Sequence, residues 1–70
     1  MDEQRIRENI ALNIRRYRRR KGLSQEQLAE ILDMSQQHIS IIENAASSPH
    51  ILTLVKLAEL FEIKVDDLLH

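Results

Sequence analysis

The chain has 70 residues, of which 43% are apolar and 30% are charged, with one glycine, one proline and a formal net charge of -1. This length and balance predict one small globular domain over residues 1–70, rich in helix and with a compact core. It has no cysteine, which excludes a disulfide framework or zinc knuckle and fits a reducing cytoplasm. No long apolar run follows the charged amino terminus, so we expect neither a signal peptide nor a transmembrane helix.

The charged side chains divide unevenly along the chain. Residues 1–21 hold eight of the ten basic side chains and three acidic ones, whereas residues 22–70 hold two basic and eight acidic side chains. A domain divided in this way can offer one positive edge to phosphates. The alternative is that the basic run at residues 15–21 is a solvated helix end, where cations suit the helix dipole.

A stripe of apolar residues predicts a first helix over residues 3–21. Ile6, Ile10, Ile14 and Tyr17 recur at the spacing of one helical face. Gly22 follows the stripe. Because glycine adopts a left-handed conformation without steric cost, we expect the helix to end there.

Ser24 has the features of a second helix start. Its hydroxyl can accept a hydrogen bond from the N–H of Gln27, whose side chain can reach back to the Ser24 N–H, which together form a capping box. Leu23 and Leu28 have the spacing of the hydrophobic staple that accompanies such a start. The residues expected to face inward on this helix are Leu28, Ala29, Ile31 and Leu32.

A third helix is predicted to begin at Ser35, after a turn at Asp33 and Met34. Met34 and Ile39 repeat the staple, although His38 stands where Glu or Gln would complete the capping box. We expect this helix to bury Ile39 and Ile42 and to point outward Gln36, Gln37, Ser40 and Ile41. Two short helices joined by a tight turn form a helix-turn-helix, whose second helix enters the DNA major groove.

The remainder of the chain also reads as helix. Residues 45–50 have a loop-like composition, and a fourth helix is predicted over residues 51–61. Its apolar stripe consists of Ile51, Leu54, Val55, Leu57, Ala58 and Phe61. A final turn or two of helix follows at residues 65–69. The predicted fold is therefore all-α, a compact bundle of five helices with the helix-turn-helix at the second and third.

From residue 10 to residue 69 the chain resembles the lambda-repressor-like helix-turn-helix family, the Cro and phage-repressor group with its bacterial Xre-type regulators. Three segments carry the resemblance: Lys-Gly-Leu-Ser-Gln-Glu-Gln-Leu-Ala at 21–29, Met-Ser-Gln-Gln-His-Ile-Ser-Ile-Ile-Glu at 34–43, and Leu-Val-Lys-Leu-Ala at 54–58. It implies the fold of that family and binding to double-stranded DNA.

The resemblance also implies roles for particular residues. Those expected to meet base edges are Gln36, Gln37, Ser40 and Ile41, and a glutamine amide has the donor and acceptor that adenine requires. The resemblance also implies that Gln25 contacts a backbone phosphate, and that N–H groups in the region of Asn44 and Ser47 point at phosphates. From the basic run of the first helix we further expect phosphate contacts by Arg16 and Arg19. His38 would either reach a phosphate or simply lie at the surface. An ion pair is implied between Arg18 and Glu43, which gives Arg18 a structural role.

The chain departs from the family pattern at four positions. Asp33 and Ala45 stand where glycine is usual, and Lys64 opens the last helix where serine is most frequent, which predicts a poorly capped helix. Ile41 replaces a polar or basic residue of many relatives. It would either pack on a thymine methyl or belong to the core.

We expect no cofactor, no metal site and no enzymatic activity. The three histidines, His38, His50 and His70, have neither a second histidine four residues away nor a set of carboxylates at ligand spacing. The chain also lacks a phosphate-binding loop and any spacing of a nucleophile and its base.

The function predicted from these features is transcriptional regulation, as a repressor that binds a near-palindromic operator as a homodimer. One such domain reads too few base pairs for useful specificity, which favours a dimer. The alternative is an antitoxin or another interaction module with a toxin or sensor domain as its partner. Four leucines outside the main stripes could form a partner surface in either case: Leu12, Leu52, Leu60 and Leu69.

Overall fold

The computed structural model describes residues 2–70, and over that range it contains five helices and no strand. They are α1 (Glu3–Arg20), α2 (Gln25–Ile31), α3 (Gln36–Glu43), α4 (Ile51–Phe61) and α5 (Asp66–Leu69). The prediction of an all-α fold with five helices is confirmed. No helix in the described part of the chain is long and apolar enough to cross a membrane.

All five helices contribute to one hydrophobic core. Its buried residues are Ile10, Ile14, Leu28, Ala29, Leu32, Ile39, Ile42, Leu54, Leu57, Ala58, Phe61 and Leu68. Leu23 and Met34, the outer members of the two predicted staples, are partly buried against it. Because those two residues hold the entry to α2 and α3, the staples fix the angle at which each helix leaves its turn.

Three residues predicted to face inward are exposed instead. Ile31 is 53% exposed, Ile51 is 65% exposed and Val55 is 38% exposed. Each lies at the border of an apolar stripe on a helix with only one side against the core, so no other helix covers it. Conversely, Leu60 and Leu69 are partly buried against the core, which leaves only Leu12 and Leu52 of the proposed partner surface well exposed.

The predicted helix starts are confirmed by their hydrogen bonds. The N–H of Gln27 donates to the Ser24 Oγ at 3.0 Å, and the Ser24 N–H donates to the Gln27 Oε1 at 2.8 Å, so the capping box is complete. At α3, the N–H of His38 donates to the Ser35 Oγ at 3.1 Å. As expected from Lys64, no side chain caps the last helix, although the Lys64 N–H donates to the Asp67 Oδ2 at 3.0 Å.

The first four helices end in the same way. A residue just past each helix has a positive φ, and the N–H of the next residue donates to the carbonyl five positions back at 2.8 to 3.1 Å, as in a Schellman motif. These left-handed residues are Gly22 (φ 71°), Asp33 (57°), Ala45 (60°) and Glu62 (58°). Only the first is a glycine, so three of the four helix ends place a side chain in a conformation that disfavours one.

Ala45→Gly is expected to raise the free energy of unfolding by about 0.5 kcal/mol. Glycine removes a steric cost of about 1–2 kcal/mol from the folded state in the left-handed region. Its greater freedom in the unfolded chain lowers the free energy of unfolding by about 0.4–1 kcal/mol. Ala46 has no positive φ, so Ala46→Gly should lower stability. Urea unfolding followed by circular dichroism measures both; a lower midpoint for Ala45→Gly would contradict the expectation.

The last helix is attached to the first by two asparagines. The Asn13 side-chain amide, which is buried, donates to the Leu68 carbonyl at 3.0 Å, and the Asn9 amide donates to the Leu69 carbonyl at 3.1 Å. These carbonyls have no partner inside such a short helix. The two bonds therefore satisfy its carboxyl end and position Leu68, which is fully buried in the core.

Candidate nucleic-acid interface

The residues predicted to point outward form the solvent-facing side of α3. Gln36, Gln37 and Ile41 are exposed and Ser40 is half-buried, while Ile39 and Ile42 on the opposite face are buried. We call these four residues, Gln36, Gln37, Ser40 and Ile41, the α3 face. Ile41 is 38% exposed, so the alternative that placed its side chain in the core is wrong.

Asn44 lies at the carboxyl end of the α3 face. Its Nδ2 donates to the Ser40 Oγ at 3.4 Å, one helical turn earlier. Because the Ser40 oxygen accepts this bond, the hydroxyl hydrogen is free to donate to a further acceptor. The structure thus brings together two residues that the sequence assigned separately, one to bases and one to phosphates.

His38 and Ser47 lie outside this pair. His38 is exposed, and because it is two positions from Ser40 on the same helix the two side chains point to different sides. Ser47 is half-buried in the loop after α3, where its hydroxyl donates to the Ser48 carbonyl at 3.4 Å. His38 therefore flanks the α3 face, and Ser47 lies in the loop that follows α3.

A buried ion pair joins α1 to α3. The Arg18 Nε donates to the Glu43 Oε2 at 2.7 Å and a terminal nitrogen of Arg18 donates to Oε1 at 3.1 Å. Arg18 is 8% exposed and Glu43 is 2% exposed. The other terminal nitrogen of Arg18 donates to the Leu23 carbonyl at 2.8 Å. This two-point geometry is the strong form of an arginine–carboxylate pair, and it fixes the carboxyl end of α3 against α1.

Gln25 extends the ion pair to α2. Its Nε2 donates to the Glu43 Oε1 at 3.0 Å. We call Arg18, Gln25 and Glu43 the buried network, since their side chains join three helices. Gln25 is half-buried, and one of its two amide hydrogens stays free to donate.

The basic side chains of α1 differ in their surroundings. Arg15 is half-buried, whereas Arg16, Arg19 and Arg20 are exposed. The Arg20 guanidinium lies 5.4 Å from the centroid of the Tyr17 ring, in cation–π contact. The sequence showed this run of charge but not which side chains lie next to α3.

The acidic and histidine side chains form no metal-binding group among residues 2–70. His70 and Asp66 do form an exposed pair, with the Nε2 3.1 Å from the Oδ1. That pair joins two successive turns at the end of the chain and lies on α5, outside the helix-turn-helix.

Comparison with known proteins agrees with this geometry. A family model described as Helix-turn-helix matches residues 14–68. The chain is 37% identical over 54 residues to the uncharacterized HTH-type transcriptional regulator y4dJ of Sinorhizobium fredii, a match that covers 77% of this chain and 70% of the relative. It is 39% identical over 64 residues to the control protein C.SmaI of Serratia marcescens, covering 91% and 76% respectively.

A solved structure is also similar. The hypothetical transcription factor NHTF from Neisseria superimposes with a TM-score of 0.86 at 31% sequence identity, over 97% of this chain and 76% of that one. The chain belongs to the helix-turn-helix family of DNA-binding transcriptional regulators. The resemblance stated from the sequence is thereby confirmed.

Proposed function

We propose that the protein is a repressor that binds a near-palindromic operator as a homodimer, with residues 1–70 acting as one domain. It works in the cytoplasm, without a cofactor and without catalysis. One feature supports this most: the exposed α3 face lies on a helix whose buried side is fixed by the buried network. Because that network restricts how α3 can turn, the face is held in one orientation before DNA arrives.

Specificity comes from the α3 face in the major groove. Gln36 and Gln37 each offer an amide donor and acceptor, the pair that adenine N7 and N6 match. Ser40, whose oxygen already accepts from Asn44, donates to a base acceptor. Ile41 packs on a thymine methyl, a contact that an exposed aliphatic side chain can make.

Affinity comes from contacts to phosphates around that face. Gln25 uses its free amide hydrogen, and Arg19, His38, Asn44 and Ser47 supply further donors at the edges of the α3 face. Such contacts orient the protein on the duplex but do not identify bases. The cationic contact of Arg19 also makes the affinity fall as salt rises, because neutralising a phosphate releases its counterions.

Dimerisation places two α3 faces about one helical turn of DNA apart, roughly 34 Å. The surface for it is on α4, where Ile51, Leu52 and Val55 are 65%, 72% and 38% exposed. We call these three the α4 patch. Lys56 and Glu59 are also exposed on this helix. Two copies of α4 packed antiparallel about a two-fold axis can pair each lysine with the other copy's glutamate, since a two-fold interface must be self-complementary.

Selection from a pool of random duplexes tests this proposal. The wild-type protein should enrich two inverted half-sites, with affinity that falls as salt rises. Gln37→Ala should relax the preference at one position in each half-site, because it removes one pairing with a base edge. Gln4→Ala, an exposed glutamine on α1, is the matched control and should select the wild-type motif.

Three outcomes would count against the proposal, each against a different part of it. If no sequence were enriched and the affinity did not change with salt concentration, operator binding would be contradicted. An unchanged motif for Gln37→Ala would instead contradict the orientation assigned to α3. A single half-site bound by a monomer would contradict the homodimer alone.

A further inference from the structure

Contacts of α1 identify which neighbouring helix lies on each of its sides. Arg18 reaches α3, with its Nε 2.7 Å from the Glu43 Oε2. Tyr17 faces α4, where its ring stacks on that of Phe61 with 5.6 Å between the centroids. Asn13 faces α5 and donates to a carbonyl there at 3.0 Å. Around the axis of α1, the order is therefore α3, α4 and α5.

Arg15 lies on the α3 side of this arrangement. Successive residues of an α-helix are about 100° apart around the axis, since there are about 3.6 per turn. Arg15 is then roughly 60° from Arg18, in the direction away from Tyr17. Arg15 is half-buried, as expected for a side chain that lies along a neighbouring helix rather than in open solvent.

Arg16 lies on the α5 side. It is roughly 160° from Arg18 but only about 20° from Asn9 around the axis. Asn9 donates to a carbonyl of α5 at 3.1 Å, which marks that side. Arg16 is exposed. The charge of Arg16 therefore lies on one flank of α1, and α3 contacts the opposite flank.

The other arginines near the carboxyl end of α1 are placed by the same helical geometry for Arg19 and by a side-chain contact for Arg20. Arg19 lies roughly 40° from Arg15, and so still near the α3 flank. Arg20 lies over the Tyr17 ring, on the α4 side. Arg18 itself is neutralised by Glu43, whereas Arg15 forms no ion pair within the described residues. The free positive charge next to α3 thus comes from Arg15 and Arg19.

We infer that Arg15, together with Arg19, forms the phosphate-binding edge of α1, and that Arg16 lies outside it. The inference rests on the proposed function, because the α3 side is the phosphate side only if α3 enters the groove. It assigns to Arg15 a contact that the sequence did not single out, and it removes one that the sequence assigned to Arg16. Guanidinium groups suit this role because they pair with phosphate oxygens at two points.

The test compares Arg15→Ala with Arg16→Ala, two neighbours of the same type on one helix. Fluorescence anisotropy measures their affinity for the selected duplex between roughly 50 and 200 mM salt. Arg15→Ala should reduce the slope of log K against log salt by about 1 for each protomer bound. Arg16→Ala should leave the slope and the affinity unchanged, and Arg15→Lys, which keeps the charge, should retain the wild-type slope.

A reduced slope for Arg16→Ala, or a wild-type slope for Arg15→Ala, overturns the assignment. Circular dichroism spectra that match the wild type show that each variant is folded. Failure of the proposed function is recognised separately, since the wild-type protein itself would then select no duplex and show no salt dependence.

Discussion

Glu43→Ala is expected to unfold most of the protein at 25 °C. The change removes the acceptor for Arg18 and Gln25, and leaves a guanidinium that is 8% exposed without its carboxylate. Breaking one side of a buried ion pair costs about 3–5 kcal/mol. A single core in a chain of this length supplies about the same amount, roughly 3–5 kcal/mol. Urea unfolding followed by circular dichroism measures the loss.

Two further variants show whether the buried network is the cause. Glu30→Ala removes an exposed glutamate of α2 that forms no ion pair within residues 2–70, and should change stability by less than about 0.5 kcal/mol. Arg18→Met combined with Glu43→Leu replaces both charges with apolar groups and should be far less destabilised than Glu43→Ala, since no unpaired charge remains. If Glu43→Ala were no less stable than Glu30→Ala, the network would have no part in holding α3.

Leu52→Glu is expected to separate the proposed homodimer and to lower affinity for the selected duplex by about 100-fold or more. Leu52 is the most exposed residue of the α4 patch, at 72%, and two-fold symmetry would bring two such carboxylates together. Like charges in an interface cost several kcal/mol, and about 2.8 kcal/mol corresponds to a factor of about 100. Sedimentation velocity reports the oligomeric state, and anisotropy reports the affinity for the selected duplex.

Leu12→Glu is the matched control for the effect of the α4 patch on oligomeric state. Leu12 is 45% exposed but lies on α1, one turn before Arg16, so its replacement should leave the dimer intact. A charge exchange gives an independent check: Lys56→Glu should weaken the dimer, and adding Glu59→Lys should restore it. Dissociation by Leu12→Glu, with none by Leu52→Glu, would move the interface to α1.

The helix starts and the α3 face could be predicted because their signals are local. Ser24 and Ser35 each hydrogen-bond to an N–H three residues away, so a short window of sequence contains both partners. The exposed side of α3 follows from the alternation of apolar and polar residues over two turns. The pairing of Arg18 with Glu43 spans 25 residues, and only resemblance to a family indicated it.

The exposure of three apolar residues and one bond between helices could not be predicted, because they depend on contacts between residues far apart in the sequence. Ile31, Ile51 and Val55 are apolar, but whether a neighbouring helix covers them is decided by how the helices cross. A helix of 7 residues, such as α2, makes barely two turns, too few to define the centre of its buried side. The bond from Gln25 to Glu43 likewise depends on how α2 packs against α3.

The two asparagine bonds between α1 and α5 have a consequence for biosynthesis. They join residues 60 and 55 positions apart, so residues 9 to 69 must all be synthesised before both bonds can form. Closing so long a loop has an entropic cost that is offset only when the distant contacts are made. Leu68 completes the core from α5 and is fully buried. During synthesis on the ribosome, α2 and α3 emerge first. The helix-turn-helix that they form becomes stable only after residues 66–69 have also emerged.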